Sequence, residues 1–110
     1  MKKAIWIVGP ALSLFAAGAF AQSVDVAAAE GLMKKSGCFK CHSVTAKKDG
    51  PSYHSVAEKY KGKADAEAKL TTHITTGPTV KIDGKEERHE ILKSKDAAEI
   101  KNVVAFILSR

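Results

Sequence analysis

The 110 residues are poor in aromatics: one tryptophan, two tyrosines and four phenylalanines. No paired carboxylates, no Ser-His arrangement and no glycine-rich phosphate loop stand out, so nothing independent points to hydrolytic or phosphoryl-transfer catalysis. Asp49, Glu58, Glu86, Glu87 and Glu90 read as surface charges. There is no internal repeat and no low-complexity stretch. No basic strip interleaved with aromatics is present, which removes nucleic acid as a partner. Cysteine is limited to two residues, Cys38 and Cys41, and methionine to Met1 and Met33.

What is present begins with a leader. Lys2 and Lys3 precede an uncharged run from Ala4 to Ala21 that ends on Ala19-Phe20-Ala21. A basic start, an apolar middle and a small-x-small end predict a secretory signal peptide, residues 1–21, cleaved before Gln22. The competing reading is an uncleaved anchor, since the run is almost long enough to span a bilayer. Pro10 and Gly18 interrupt it, and the Ala-x-Ala end favours removal with no stable membrane insertion. Export points to a bacterial periplasm. The remaining domain, residues 22–110, has a formal charge of +4, against +6 for the whole chain. Trp6 leaves with the leader, so the core must rely on aliphatics with Phe39, Phe106, Tyr53 and Tyr60. A domain of 89 residues often needs a disulfide, a metal or a cofactor to be stable.

Cys38-Phe39-Lys40-Cys41-His42 supplies the means. Two cysteines at i and i+3 followed by histidine form a c-type haem attachment pattern. On about one helical turn both thiols face the same way, so each can form a thioether to one vinyl group along a porphyrin edge. The next residue is then under the ring, where its imidazole can ligate iron. Three other readings compete. A thioredoxin-like pair needs a βαβ setting, and none is visible. A zinc site needs a second Cys or His pair, which is missing. A short disulfide remains open in an exported chain.

The order of the chain predicts an all-α domain of about four helices. Ser23 and Asp25 can cap a first helix through Ala27, Leu32 and Met33 that stops near Ser36-Gly37. Met33 lies five residues before Cys38, on the tethered side, and reads as core. After a polar loop and the Gly50-Pro51 turn, Ser52 to Tyr60 predicts a short helix with Tyr53, Val56 and Tyr60 on one face. Asp65 caps a third helix to about Thr75, with Ala66, Leu70 and Ile74 as its stripe and His73 beside it. Gly77 stops it. Thr79 to Ile82 alternates before Asp83-Gly84, predicting a short hairpin, and the irregular stretch Gly77 to Lys95 is expected to close over the haem's second face. Asp96 and Glu99 give a capping-box-like start to a last helix whose stripe is Ile100, Val103, Val104, Ile107 and Leu108, with Phe106 at its border. That stripe should cross the first helix.

With these pieces in place, the chain resembles a small bacterial class I cytochrome c over nearly all of residues 22–110. The resemblance rests on the first helix leading into Cys38-x-x-Cys41-His42, Gly50-Pro51, the Val56-Ala57-Glu58-Lys59-Tyr60 helix, the Asp65 to Leu70 start and the Val-Val-Ala-aromatic-Ile-Leu ending. It implies one covalent haem c on Cys38 and Cys41, with His42 as proximal iron ligand. It also implies a carbonyl from Pro51 on the free ring nitrogen of His42, a bond that orients the ring and tunes the iron. Relatives of this kind normally supply a distal methionine, and here the corresponding place holds His89, 47 residues past His42. His89 is therefore the proposed distal ligand. His73, Lys81, Lys85 or a vacant sixth position are the alternatives, and His54 reads as surface. The aromatic usual before the haem motif is Met33, and the usual tryptophans are absent, so indole bonds to the propionates are not available.

A second imidazole stabilises ferric iron where a thioether favours ferrous, so a lowered potential is expected. The reading that follows is a periplasmic one-electron carrier, not an enzyme. A gas-binding or sensor haem protein with a displaceable or absent sixth ligand is the alternative, and peroxidase-like catalysis a third. Lys34, Lys35, Lys40, Lys47 and Lys48 flank the motif and could steer an acidic redox partner, or serve only as a solubilising surface.

Overall fold

Short polar side chains set where the helices begin, as they satisfy amide groups that the first turn leaves unpaired. The computed structural model describes residues 23–110, together with Gly9. The expected signal peptide and its cleavage before Gln22 otherwise lie outside the described residues. Asp25 accepts from the Ala28 amide and starts α1, Val26–Lys35. Ser52 accepts from Ser55 and starts α2, Tyr53–Tyr60. α3 is Ala66–Thr76 and α4 is Ala97–Leu108, the latter capped by Asp96 on the Glu99 amide. A 3₁₀ turn, Cys38–Lys40, opens on the first cysteine and is capped at its end by the second, Cys41, in place of a full α-helical turn.

Two of the expected caps work differently. Asp65 occupies the cap position of α3, but its side chain makes no capping bond. The carboxylate reaches Lys69 at 3.0 Å instead. At α4 the box closes through a relay: the Asp96 amide donates to Ser94 Oγ, whose hydroxyl donates to the Glu99 carboxylate.

The hairpin between α3 and α4 pairs β1, Thr79–Ile82, with β2, Lys85–Arg88, antiparallel with Ile82 opposite Lys85. Asp83 and Gly84 both adopt positive φ, 49° and 78°, as a two-residue turn of this hand requires. The rest of the irregular stretch is tied down at both ends. Arg88 Nη2 donates to the Thr76 carbonyl at 3.0 Å, and the Leu92 amide to Ile74 at 2.9 Å. The Lys93 amide donates to Ser36 Oγ at 2.8 Å.

α4 packs against all three other helices. Its contact with α1 is fixed at one end by a reciprocal pair, Asp25 N–H to Asn102 Oδ1 and Asn102 Nδ2 to the Asp25 carbonyl, both 2.9 Å. The core gathers Ala29, Met33, Tyr53, Leu70, Leu92, Val103, Val104, Phe106 and Ile107. Met33 is fully enclosed, consistent with its reading as core. Phe106 is not a border residue: it is 0% exposed. It lies one helical step of three beyond Val103, and an element embraced by three partners buries a wider arc than one stripe. Side chains of this size contribute about 1.5–3 kcal/mol each when fully buried. No helix among the described residues is long and apolar enough to cross a membrane.

Candidate haem-binding site

The site starts from a turn whose backbone closes on itself. The Cys41 and His42 amides both donate to the Cys38 carbonyl, at 3.3 and 3.0 Å. Cys38 and Cys41 are half-buried and unlinked, and burial pushes the Cys38 thiol above its ordinary pKa. Two free cysteines on one short turn can each form a thioether to a vinyl group of one porphyrin edge.

The loop after the motif returns to it. The Gly50 amide donates to the Cys41 carbonyl at 2.7 Å, Tyr53 to Ser43 at 2.9 Å, and Lys48 Nζ to the Phe39 carbonyl at 2.7 Å. This return brings Pro51 against His42, with Nδ1 and the Pro51 carbonyl oxygen 2.7 Å apart. A carbonyl can only accept, so Nδ1 carries the proton and Nε2 is left as a bare donor to a metal. Burial, opposed in part by the Pro51 bond, holds the His42 pKa below its ordinary value. A neutral ring is the ligating form. Tyr53 stacks on it with centroids 5.0 Å apart and planes 22° apart. Gly50 lies beneath, where a Cβ would stand only 2.5 Å from His42 Cε1.

His89 faces this ring. The two imidazole centroids are 6.0 Å apart with planes at 50°. His89 Nδ1 donates to the Glu90 carbonyl at 2.7 Å, so its Nε2 is the free nitrogen too. Its amide is held by Pro78 at 2.9 Å. Behind it Gly77 takes a left-handed φ of 62° and is buried, and a Cβ there would meet the His89 carbonyl oxygen at 2.6 Å. His73, on α3, sets its ring 4.3 Å from that of His89 at 63°. Burial lowers the His73 pKa, and nearby histidines lower it further.

The other residues named from the sequence lie elsewhere. His54 is exposed beside the Arg110 carbonyl, 3.4 Å away. Lys81 and Lys85 are exposed on the two hairpin strands. All five lysines around the motif are exposed, and Lys48 is the one with an internal bond.

Residues 38–42 and 89 fit a haem by their donor chemistry. Two imidazoles ligating one first-row metal at about 2 Å each have ring centres about 6 Å apart, close to the spacing between His42 and His89. Gly50, Gly77 and the Glu90 carbonyl were not singled out for the site by sequence reasoning. Gly50 carried a signal, directly before the proline expected to serve His42. Glu90 carried none, since a backbone carbonyl has no residue type.

A sequence profile of the cytochrome c family matches residues 26–110. Over 65 residues the chain is 42% identical to a cytochrome c-551 of Pseudomonas aeruginosa, covering 59% of this chain and 58% of that protein. It is 48% identical over 54 residues to a cytochrome c2 of Rubrivivax gelatinosus, 49% of this chain and 62% of the other. The matched stretch thus spans about three fifths of these relatives' length. Among solved structures, the class 1 cytochrome MtoD of Sideroxydans lithotrophicus ES-1 is 55% identical with a TM-score of 0.75, covering 79% of this chain and 97% of that one. A cytochrome c552 of Nitrosomonas europaea is 28% identical with a TM-score of 0.57, covering 73% and 96%.

Proposed function

Because the chain belongs to the cytochrome c family, whose members carry one covalent haem c, we propose that it is a one-electron carrier, not an enzyme, with two histidine axial ligands. Cys38 and Cys41 hold the haem by thioethers, His42 is the proximal ligand oriented by Pro51, and His89 is the distal ligand. The single observation that carries this is the opposition of the two imidazoles at 6.0 Å, each with Nδ1 spent on a carbonyl and Nε2 free.

When bound, the haem supplies a reversible ferric–ferrous couple. The chain's own contribution is electrostatic. Both Nδ1–H groups donate to carbonyl oxygens at 2.7 Å, which strengthens the imidazoles as donors and favours ferric iron. The potential is therefore below that of a methionine-ligated relative, where about 59 mV is a tenfold change in the one-electron equilibrium. With both axial positions filled the iron has no place for substrate. The leader of residues 1–21 directs the chain to the periplasm, and the exposed lysines Lys34, Lys35, Lys40 and Lys47 steer an acidic redox partner in a salt-dependent way.

The test is the absorption and EPR spectrum of the ferric protein beside His89→Ala. The wild type is expected to be low-spin with two imidazoles, and the variant to lose that signal. A wild-type spectrum unchanged in the variant overturns His89 as ligand. Rapid stoichiometric carbon monoxide binding by the reduced wild type overturns the filled sixth position and favours the gas-binding alternative.

A further inference from the structure

His73 has no part in the ligation just described, yet it is the helix-borne aromatic ring set against His89. The two faces differ in what holds each imidazole in rotation. On the proximal face the carbonyl comes from Pro51, nine residues away, and the Tyr53 ring lies over the imidazole at 22°. Both belong to a frame separate from His42 itself. On the distal face the carbonyl comes from Glu90, the adjacent residue. That bond moves with its own loop and sets no direction relative to the rest of the molecule. His73 does: it stands on α3, between the buried Leu70 and the Gly77 stop. Its neighbour Ile74 packs on the core and accepts from Leu92 across the irregular stretch.

We propose that His73 is a positioning residue: its ring, edge-on to His89 at 4.3 Å, is a wall that fixes the rotation of the distal imidazole and so its angle to the His42 plane. This rests on His42 and His89 being the axial pair. The wall acts by shape. A ring at 63° to its neighbour blocks rotation of the second plane into its own space, and the 50° angle between the axial planes is the result. That angle has a spectroscopic consequence. Parallel imidazole planes separate the two iron d orbitals that share electron density with the rings. Planes turned toward the perpendicular bring them together, and the largest g value of the low-spin ferric signal rises.

The test uses the ferric holoprotein and its His73→Ala, His73→Leu and His73→Phe forms. With the wall removed in His73→Ala, the signal is expected to stay low-spin and bis-imidazole while its largest g value shifts and the line broadens. His73→Phe keeps a flat edge and is expected to retain the wild-type g value. His73→Leu keeps bulk without the edge, is expected to shift as alanine does, and decides the matter should the alanine form not accumulate. A g value unmoved in both Ala and Leu forms overturns the proposal while leaving the axial pair standing, and so does an equal shift in the Phe form. Loss of the low-spin signal in His73→Ala overturns it by making His73 a ligand. A wild type without the bis-imidazole signature overturns the axial pair and the wall together. A merely structural role would lower the melting temperature in all three forms without moving the g value.

Discussion

The two faces of the site use the same parts with opposite economy of sequence. Each presents a half-buried histidine, a carbonyl 2.7 Å from Nδ1 and a glycine pressed against the support. The proximal set is gathered within residues 38–53 and cross-tied by three bonds between the motif and its return loop. The distal set stands on a hairpin-bearing stretch anchored at its margins, to Thr76, Ile74, Pro78 and Ser36. One face is thus braced throughout and the other is hung from its ends. The hung face is expected to open locally before the braced one, as faster hydrogen exchange around His89 than around His42 would show.

That contrast can be broken at several points. The largest effect is expected from Phe106→Ala, which removes a fully buried ring that meets Tyr53 edge-on at 6.5 Å. A loss of about 3–5 kcal/mol is expected, measured by denaturant unfolding. The braced face should suffer, because Tyr53 carries the support on to His42. The glycines come next. Gly77→Ala adds about 1–2 kcal/mol for the left-handed backbone and about 1–3 kcal/mol for crowding, through a 2.6 Å approach to the His89 carbonyl. Under the ligation proposed above, its spectral signature should be loss of the bis-imidazole signal. Gly50→Ala is expected to cost about 1–3 kcal/mol by crowding of the His42 ring alone and, under the ligation proposed above, to shift the haem absorption spectrum without opening the His89 side to carbon monoxide.

Ser36→Ala cuts the far anchor. The hydroxyl donates to Leu32 and accepts from the Lys93 amide, both at 2.8 Å. A loss of about 1 kcal/mol is expected, with faster hydrogen exchange at Lys93 and unchanged protection at Gly50. The smallest effect is at Asp65, where the Lys69 ammonium holds the carboxyl below the usual carboxylate range. A lowered folded value gives support that is present above the ordinary carboxylate pKa and fades as pH falls through the lowered one. Helicity of α3 followed by circular dichroism should lose this acid step in Asp65→Asn, with neither face of the site altered at pH 7.

Much of this was legible beforehand for a local reason. Caps at Asp25 and Asp96, stops at Gly37 and Gly77, and the Asp83-Gly84 turn are decided by a few adjacent residues. The four helices and the hairpin follow from them. The Pro51 carbonyl comes within 2.7 Å of His42 Nδ1 because the short return loop between them brings it there. What stayed hidden depends on packing at a distance. Leu92 is buried without any periodic neighbour to announce it. Phe106 is inside because three helices embrace α4. His73 looked like a bystander to its helix stripe, since the ring it meets lies sixteen residues on. Asp65 had the choice between an amide and an ammonium, and sequence spacing fits both.

The Asp25–Asn102 clamp joins positions 77 apart. The pair can form only when the two ends of that intervening loop come together. Until then the first helix has nothing to lie across, and a loop of this length must close before its contacts stabilise anything. Docking of the first helix on the last is therefore expected to come late in folding, after the local turns and caps have formed. The two reciprocal bonds of Asn102 would then lock that crossing in place.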